Sequence, residues 1–394
     1  MNRKFDVIIV GGGPAGGTAA WFLGQAGRRV LVLEKETLPR YKACGGGLSA
    51  SILEEFPFSF DPVIESRVKS ISYALREKIV TVPLPGQSLR MVMRDQFDAY
   101  LLKQTDAEIR QGAAVRSVEE NPEGVRVQTS SGEQFESRFL IAADGANSVV
   151  ARSLGLRPGR VMAGAIEVET AVPAKVFARF AERAMFIFGE ITNGYLWIFP
   201  KSDHLSVGIG ALHPQPGELQ STLKRVMSRY NISIEGQPQK GHPLPIYSRR
   251  ETINTSRTLL AGDAAGLVDP FTGEGIRFAI KSGRLAAEAI LAGNPQQYAV
   301  SIDRQIGRSH RLGMILTNLF YHLPSACFYL GVRNPFVTRS LVDMLADQIG
   351  YGSVLLQMFG TLPLFLVTEM IAGVGGWIAG PKITNRIRRA IYSI

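Results

Sequence analysis

Residues 5–27 read FDVIIVGGGPAGGTAAWFLGQAG, and the architecture follows from them. FDVIIV is a short apolar run rich in β-branched side chains, the composition of a buried strand. The residues after it switch to a helical pattern that ends at Gly27. Between the two, Gly11, Gly13 and Gly16 complete G-x-G-x-x-G. In a strand-turn-helix setting these glycines permit the tight turn, the approach of a pyrophosphate and close packing of helix on strand. A second strand, RRVLVLEK (28–35), ends in Glu34, 23 residues after Gly11. An acidic side chain at that distance accepts hydrogen bonds from a ribose, so the segment predicts a dinucleotide site.

A second segment of the same kind lies more than 200 residues away. TLLAGDAAGLVDPFTGEGIRFAIKSGRLAAEAI (258–290) again runs strand, Gly262-Asp263, glycine-bearing loop, helix. Two distant segments sharing one cofactor favour FAD over a nicotinamide dinucleotide. Asp263 suits a ribitol hydroxyl, and the helix start near Gly273, Gly275 and Ile276 offers backbone amides to a reduced flavin's negative charge.

With these motifs in order, the chain resembles the FAD-dependent oxidoreductases of the aromatic hydroxylase fold. MRDQFDAYLLKQ (93–104) looks like that group's Arg-x-x-Phe-Asp helix, and LIAADGANSVVARSLG (140–155) like its Asp-Gly motif. The nearer resemblance is to the geranylgeranyl reductase family, carried by PRYKACGGGL (39–48) and by the aromatic strand YLWIFPK (195–201), and it covers about the first 300 residues. That resemblance implies cofactor contacts from Pro14, Ala15, Lys35 and Val115 beside the motif glycines and Glu34, and from Arg94, Asp144 and Gly145. It also places Cys44, Gly45 and Gly46 beside the flavin ring and YLWIFPK over the substrate side. Tyr195, Trp197 and Phe199 alternate onto one face of that strand, a wall of rings suited to an isoprenoid chain. Cys44 is expected either to guide the substrate or to supply a proton.

The implied fold class is α/β (α+β): a Rossmann-type FAD-binding domain, an interleaved antiparallel-sheet substrate domain and a helical C-terminal region. The expected division is 1–65, 90–160 and 250–300 for FAD, 66–89 and 161–249 for substrate, and 301–394 for the apolar helices. The implied reaction is hydride transfer from reduced flavin N5 to a carbon–carbon double bond of a prenyl chain, with NADPH or reduced ferredoxin as electron donor. Alternatives are a flavin monooxygenase acting on an apolar or aromatic substrate, and a membrane-associated flavin electron-transfer protein.

Composition narrows the remaining classes. Lys and Arg total 44 against 34 Asp and Glu, an excess that suits anionic substrates or lipid headgroups, and nothing resembles a nucleic-acid module. The cysteines, Cys44 and Cys327, fit no disulfide framework or metal spacing, and the five histidines are scattered, so reduced thiols and no metal are expected. The N-terminus MNRKFDVIIVGGG carries an acidic residue inside its apolar run, unlike a signal peptide, and a cytoplasmic location is expected. GTLPLFLVTEMIAGVGGWIAG (360–380) approaches bilayer-spanning length, interrupted by Pro363, Glu369 and glycines. Lys382, Arg386, Arg388 and Arg389 follow it, leaving a span, peripheral contact with anionic lipid, or a closed helical cap as readings.

Overall fold

The strand expected over FDVIIV runs from Lys4 to Val10 in the computed structural model, which describes residues 4–84, 86, 89–379, 382–384 and 386. It pairs in parallel with Val30–Leu33 on one side and Gln134–Ala142 on the other. Glu108–Arg110 and Thr258–Leu260 extend the parallel set, and Gly124–Thr129 with Val115–Asn121 fold back antiparallel to complete seven strands. Val7 to Val10 and Val30 to Leu33 are buried without alternation, as strands covered on both faces require. Register then fixes the site: Val10 is level with Leu33 and Ala142, and Ala142 with Leu260. The turns after these four strand ends therefore meet at one edge of the sheet, where doubly wound folds bind ligands.

The first turn feeds the helix Pro14–Gln25, whose opening proline needs no amide partner and is preset for helical φ. A Cβ on Gly16 would sit 1.9 Å from the Gly11 carbonyl oxygen, so only glycine lets the helix lie on the turn. The helix Ile276–Leu291 packs against it and is buried along most of its length.

A second seven-stranded sheet runs in the order Lys240–Ile246, Val161–Thr170, Leu205–Leu212, Gly194–Pro200, Arg183–Phe188, Ser70–Leu75, Lys78–Pro83. Leu196 and Ile198 face the helix Glu218–Arg229, whose Leu219, Leu223, Val226 and Met227 recur at helical spacing. Trp197 and Phe199 face the other way with Tyr73 and Phe188, against Phe320, Phe328, Val342 and Leu345 of the C-terminal helices. A small third sheet of Gly47–Ser49, Leu89–Val92 and Ile64–Val68 carries the glycine run after Cys44.

Helices Pro335–Leu345 and Tyr351–Ala379 are joined to the cofactor side by polar contacts: Arg277 Nη1 donates to Met344 O at 2.8 Å, and Tyr351 OH to Asp269 Oδ1 at 2.6 Å. The last helix, Tyr351–Ala379, runs through Pro363 and projects its apolar side chains outward, with Leu356 76%, Phe359 65% and Trp377 89% exposed. It is thus not a closed cap. Its segment Tyr351–Val374 is long and apolar enough to cross a membrane, with 17% of the window buried in the protein. Lys382 and Arg386 beyond it are exposed, while Arg388 and Arg389 lie outside the described residues.

Candidate active site

The four strand-end turns and the inner face of the second sheet enclose a cleft of about 820 Å³. At one end Glu34, buried, accepts from the backbone N–H of Gly12 at 2.7 Å and of Glu36 at 3.0 Å. The carboxylate is therefore braced from the protein side while bordering the cleft. Beside it Arg94 makes a two-pronged contact with Asp98 at 2.9 and 2.7 Å, one helical turn apart, and Arg40 reaches the same carboxylate at 3.1 Å. Both guanidinium groups lie near Gly13, where a Cβ would come 3.7 Å from Arg94 Nη2 and 3.9 Å from Arg40 Nη2. Two guanidinium groups against a glycine turn and a helix N-terminus are chemistry that suits an anion.

Asp144 Oδ2 accepts from Val149 and Val150 N–H at 2.7 and 3.2 Å, which opens the short helix Val149–Ser153. Its Oδ1 is buried and has no hydrogen-bond partner among the described residues. Asp263, in the turn Gly262–Ala265, stands 3.4 Å from Lys42 Nζ and 3.8 Å from His242 Nε2. Burial alone would raise the Asp263 carboxyl, but Lys42 and His242 hold it below the usual carboxylate range.

The other end of the cleft is aromatic, lined by Phe186, Tyr195, Trp197 and Phe199. The glycine run after Cys44 lies against this wall: a Cβ on Gly45 would be 2.9 Å from the Phe199 ring and 3.1 Å from Trp197 Nε1. Close approach at Gly45 is thus to the protein's own rings. Tyr195 OH donates to Thr272 O, tying the wall to the loop before the Ile276–Leu291 helix. Cys44 donates its N–H to Glu167 Oε2, and its Sγ accepts from Gly46 N–H at 3.4 Å.

Glu167 and Glu169, two apart on Val161–Thr170, point to the same side of the strand. Burial and the neighbouring Glu169 push the Glu167 carboxyl well above its ordinary range. Burial would raise Glu169 as well, but His204, 3.1 Å away, and the Lys201 charge outweigh it and hold Glu169 low. The Glu169 carboxylate at 3.1 Å in turn raises His204 against its partial burial.

Gly11, Gly13, Pro14, Ala15, Glu34, Lys35, Cys44, Gly45, Gly46, Arg94 and Val115 all border this one cleft. So do Asp144, Gly145, Tyr195, Trp197, Asp263, Gly273, Gly275 and Ile276. Gly16, grouped with the cofactor contacts in the motif, does not; it packs the helix onto the Gly11 turn. Arg40, Tyr41, Lys42, Glu167, Lys240 and His242 also border the cleft and carried no sequence signal. Arg40, Tyr41 and Lys42 sit inside the quoted PRYKACGGGL, so the chemistry of that segment extends to its charged half.

The donor set suits FAD. Arg40, Arg94 and the Gly11–Gly13 turn match a pyrophosphate, Glu34 a ribose, the free Asp144 Oδ1 a polar group of the cofactor, and the amides at Gly275 and Ile276 an anionic ring edge. The FAD binding domain family matches residues 4–292. The chain is 30% identical over 383 residues to the chloroplastic geranylgeranyl diphosphate reductase of Oryza sativa subsp. japonica, covering 88% of this chain and 79% of that one. It is 28% identical over 373 residues to the menaquinone reductase of Mycolicibacterium smegmatis, covering 87% and 90%. A geranylgeranyl bacteriochlorophyll reductase-like structure from Thermoplasma acidophilum shares the fold, with a TM-score of 0.76 over 93% of this chain and 98% of that chain at 24% identity. The chain belongs to the geranylgeranyl reductase family of FAD-dependent oxidoreductases.

Proposed function

We propose that this protein reduces carbon–carbon double bonds in the prenyl chain of a lipid or quinone. The observation that carries the reading is the continuity of the cleft, from the charged turn at Gly13 and Glu34 to the rings of Phe186, Tyr195, Trp197 and Phe199. FAD, when bound and reduced, supplies the hydride for such a reaction. Arg40, Arg94 and Glu34 hold the polar cofactor half, and the aromatic wall receives the apolar chain and keeps water from it. Cys44 and the glycines after it line the passage between the two halves. We assign NADPH or reduced ferredoxin as the electron donor, and the division into cofactor segments 1–65, 90–160 and 250–300 around substrate segments 66–89 and 161–249 as the working units. The test is anaerobic: the flavin of the reduced holoprotein is oxidised by geranylgeranyl diphosphate or by menaquinone, with a product two hydrogens heavier for each bond reduced. Oxidation by oxygen alone, with hydroxylated product, establishes the monooxygenase reading in its place.

We further propose that the protein works at the cytoplasmic membrane surface, its apolar helix Tyr351–Ala379 lying among lipid chains. Leu356, Phe359, Met370 and Trp377 are exposed on it, and basic Lys382 and Arg386 follow. This is the arrangement that peripheral anchoring to anionic lipid requires. A substrate dissolved in the bilayer is then delivered beside the cleft.

A further inference from the structure

Addition of hydride to an alkene leaves the second carbon in need of a proton, and an apolar cleft that excludes water must supply it from a side chain. Glu167 borders the cleft yet is 2% exposed. Its Oε2 accepts from Cys44 N–H and from Tyr41 OH at 3.3 Å, and its Oε1 from Ser206 Oγ at 2.8 Å. Behind it a line of titratable groups leads outward. Glu167 stands beside Glu169 on the same face of their strand, Glu169 Oε2 is 3.1 Å from His204 Nε2, and His204 Nδ1 is 2.7 Å from Asp203 Oδ1. The Asp203 side chain is 84% exposed, so the line begins in bulk water and ends in the cleft.

We propose that Glu167 is the proton donor to the substrate and that Asp203, His204 and Glu169 return its proton from solvent. The inference rests on the prenyl-reductase reading. In the step, the Glu167 O–H bond breaks as its proton bonds one alkene carbon, while the hydride supplied by reduced flavin bonds the other. The alkene gains two electrons, the flavin loses two, and the Glu167 carboxylate is reprotonated through Glu169. Two carboxyl groups on the same face of one strand, with Glu167 out of water, cannot both ionise without repulsion, so the pair keeps a proton to give. The charged and titratable neighbours are consistent with this: Tyr41 and Cys44 from the facing segment, Lys201 from the adjoining strand, Lys240 level with Glu167 on the next strand, and Glu169 with His204 behind. Of the other carboxyls on the cleft, Glu274 is bound in an ion pair to Arg277 at 2.5 Å and Glu34 is held by the backbone N–H of Gly12 and Glu36 at the cofactor end. Cys44 meets Glu167 through its backbone N–H and so orients the carboxyl.

Glu167→Gln keeps an oxygen for the Cys44 N–H and removes the proton. Infrared difference spectra of the oxidised holoprotein across a pH titration should show a protonated carboxyl lost at high pH in wild type and missing in Glu167→Gln. In stopped flow, reoxidation of the dithionite-reduced flavin by geranylgeranyl diphosphate or menaquinone should slow at least about 100-fold in Glu167→Gln, the lower end of what general acids contribute. His204→Gln should retain the first turnover but slow the steady state, with rescue by imidazole, because only reprotonation is affected. Equal first-turnover rates for wild type and Glu167→Gln, or no titrating carboxyl, overturn the assignment. If neither substrate oxidises the wild-type flavin, the prenyl reading falls and Glu167's role with it, an outcome set apart because the wild type itself is inert.

Discussion

Lys201 Nζ donates to the carbonyl of Gly45 at 2.9 Å and, with a second hydrogen, to that of Val92 at 2.8 Å. The ammonium is 1% exposed, so the last residue of YLWIFPK joins the aromatic wall to the cysteine-glycine segment and the small sheet. Lysine has three donors and no acceptor, and a buried carbonyl pair is well matched to it.

Lys201→Met keeps the stem and removes both bonds. Hydrogen bonds to charged groups contribute about 1.5–3 kcal/mol each and do not add fully, so we expect a loss of about 2–4 kcal/mol. Urea unfolding followed by tryptophan fluorescence measures it, and flavin affinity should fall in parallel as Gly45 loosens.

Glu34→Ala should weaken FAD binding by about 1–3 kcal/mol, the range for losing hydrogen bonds to a charged acceptor. Because Glu34 also accepts from Gly12 N–H, Glu34→Gln should restore part of the loss through its amide oxygen. Titration of apoprotein with FAD gives both values. Unchanged affinity in Glu34→Ala removes Glu34 from the ribose role.

Trp197→Ala should reduce kcat/KM for long prenyl substrates far more than for short ones. Lost contact scales with buried chain at about 25 cal/mol per Å² of apolar surface. Equal losses across a series from dimethylallyl to geranylgeranyl diphosphate remove Trp197 from the chain-binding wall.

Paired Leu356→Asp and Phe359→Asp should abolish binding to anionic vesicles and leave the flavin spectrum unchanged, since both side chains are more than half exposed. Wild type should bind phosphatidylglycerol vesicles more tightly than phosphatidylcholine ones, read by co-sedimentation at two salt concentrations.

Asp263 gives an acid-side dependence. Its carboxyl is held below the ordinary range in the folded chain, so the unfolded chain binds the proton first as pH falls. The stability it contributes is complete above the unfolded Asp value of about 4 and declines below it. Asp263→Asn should flatten the fall in unfolding midpoint below about pH 4. An identical acid profile in wild type and variant rules the group out.

Backbone rules that act within a few residues made part of this protein legible in its sequence. Glycine spacing between a β-branched run and a helix placed the Gly11 turn and Gly16, and the alternation of Tyr195, Trp197 and Phe199 against Leu196 and Ile198 set the two faces of one strand. The end of a strand at Leu33 put Glu34 at the sheet edge for the same local reason. Tertiary structure alone decided which side chains meet across the chain. Glu167 reaches Cys44 over 123 residues and Lys201 reaches Gly45 over 156, contacts fixed by how strands cross and which faces pack. No local preference of Glu167 or Lys201 encodes such a meeting: a charged residue in a strand is ordinarily solvated, and its burial is set by the sheet register and by the segment laid over it.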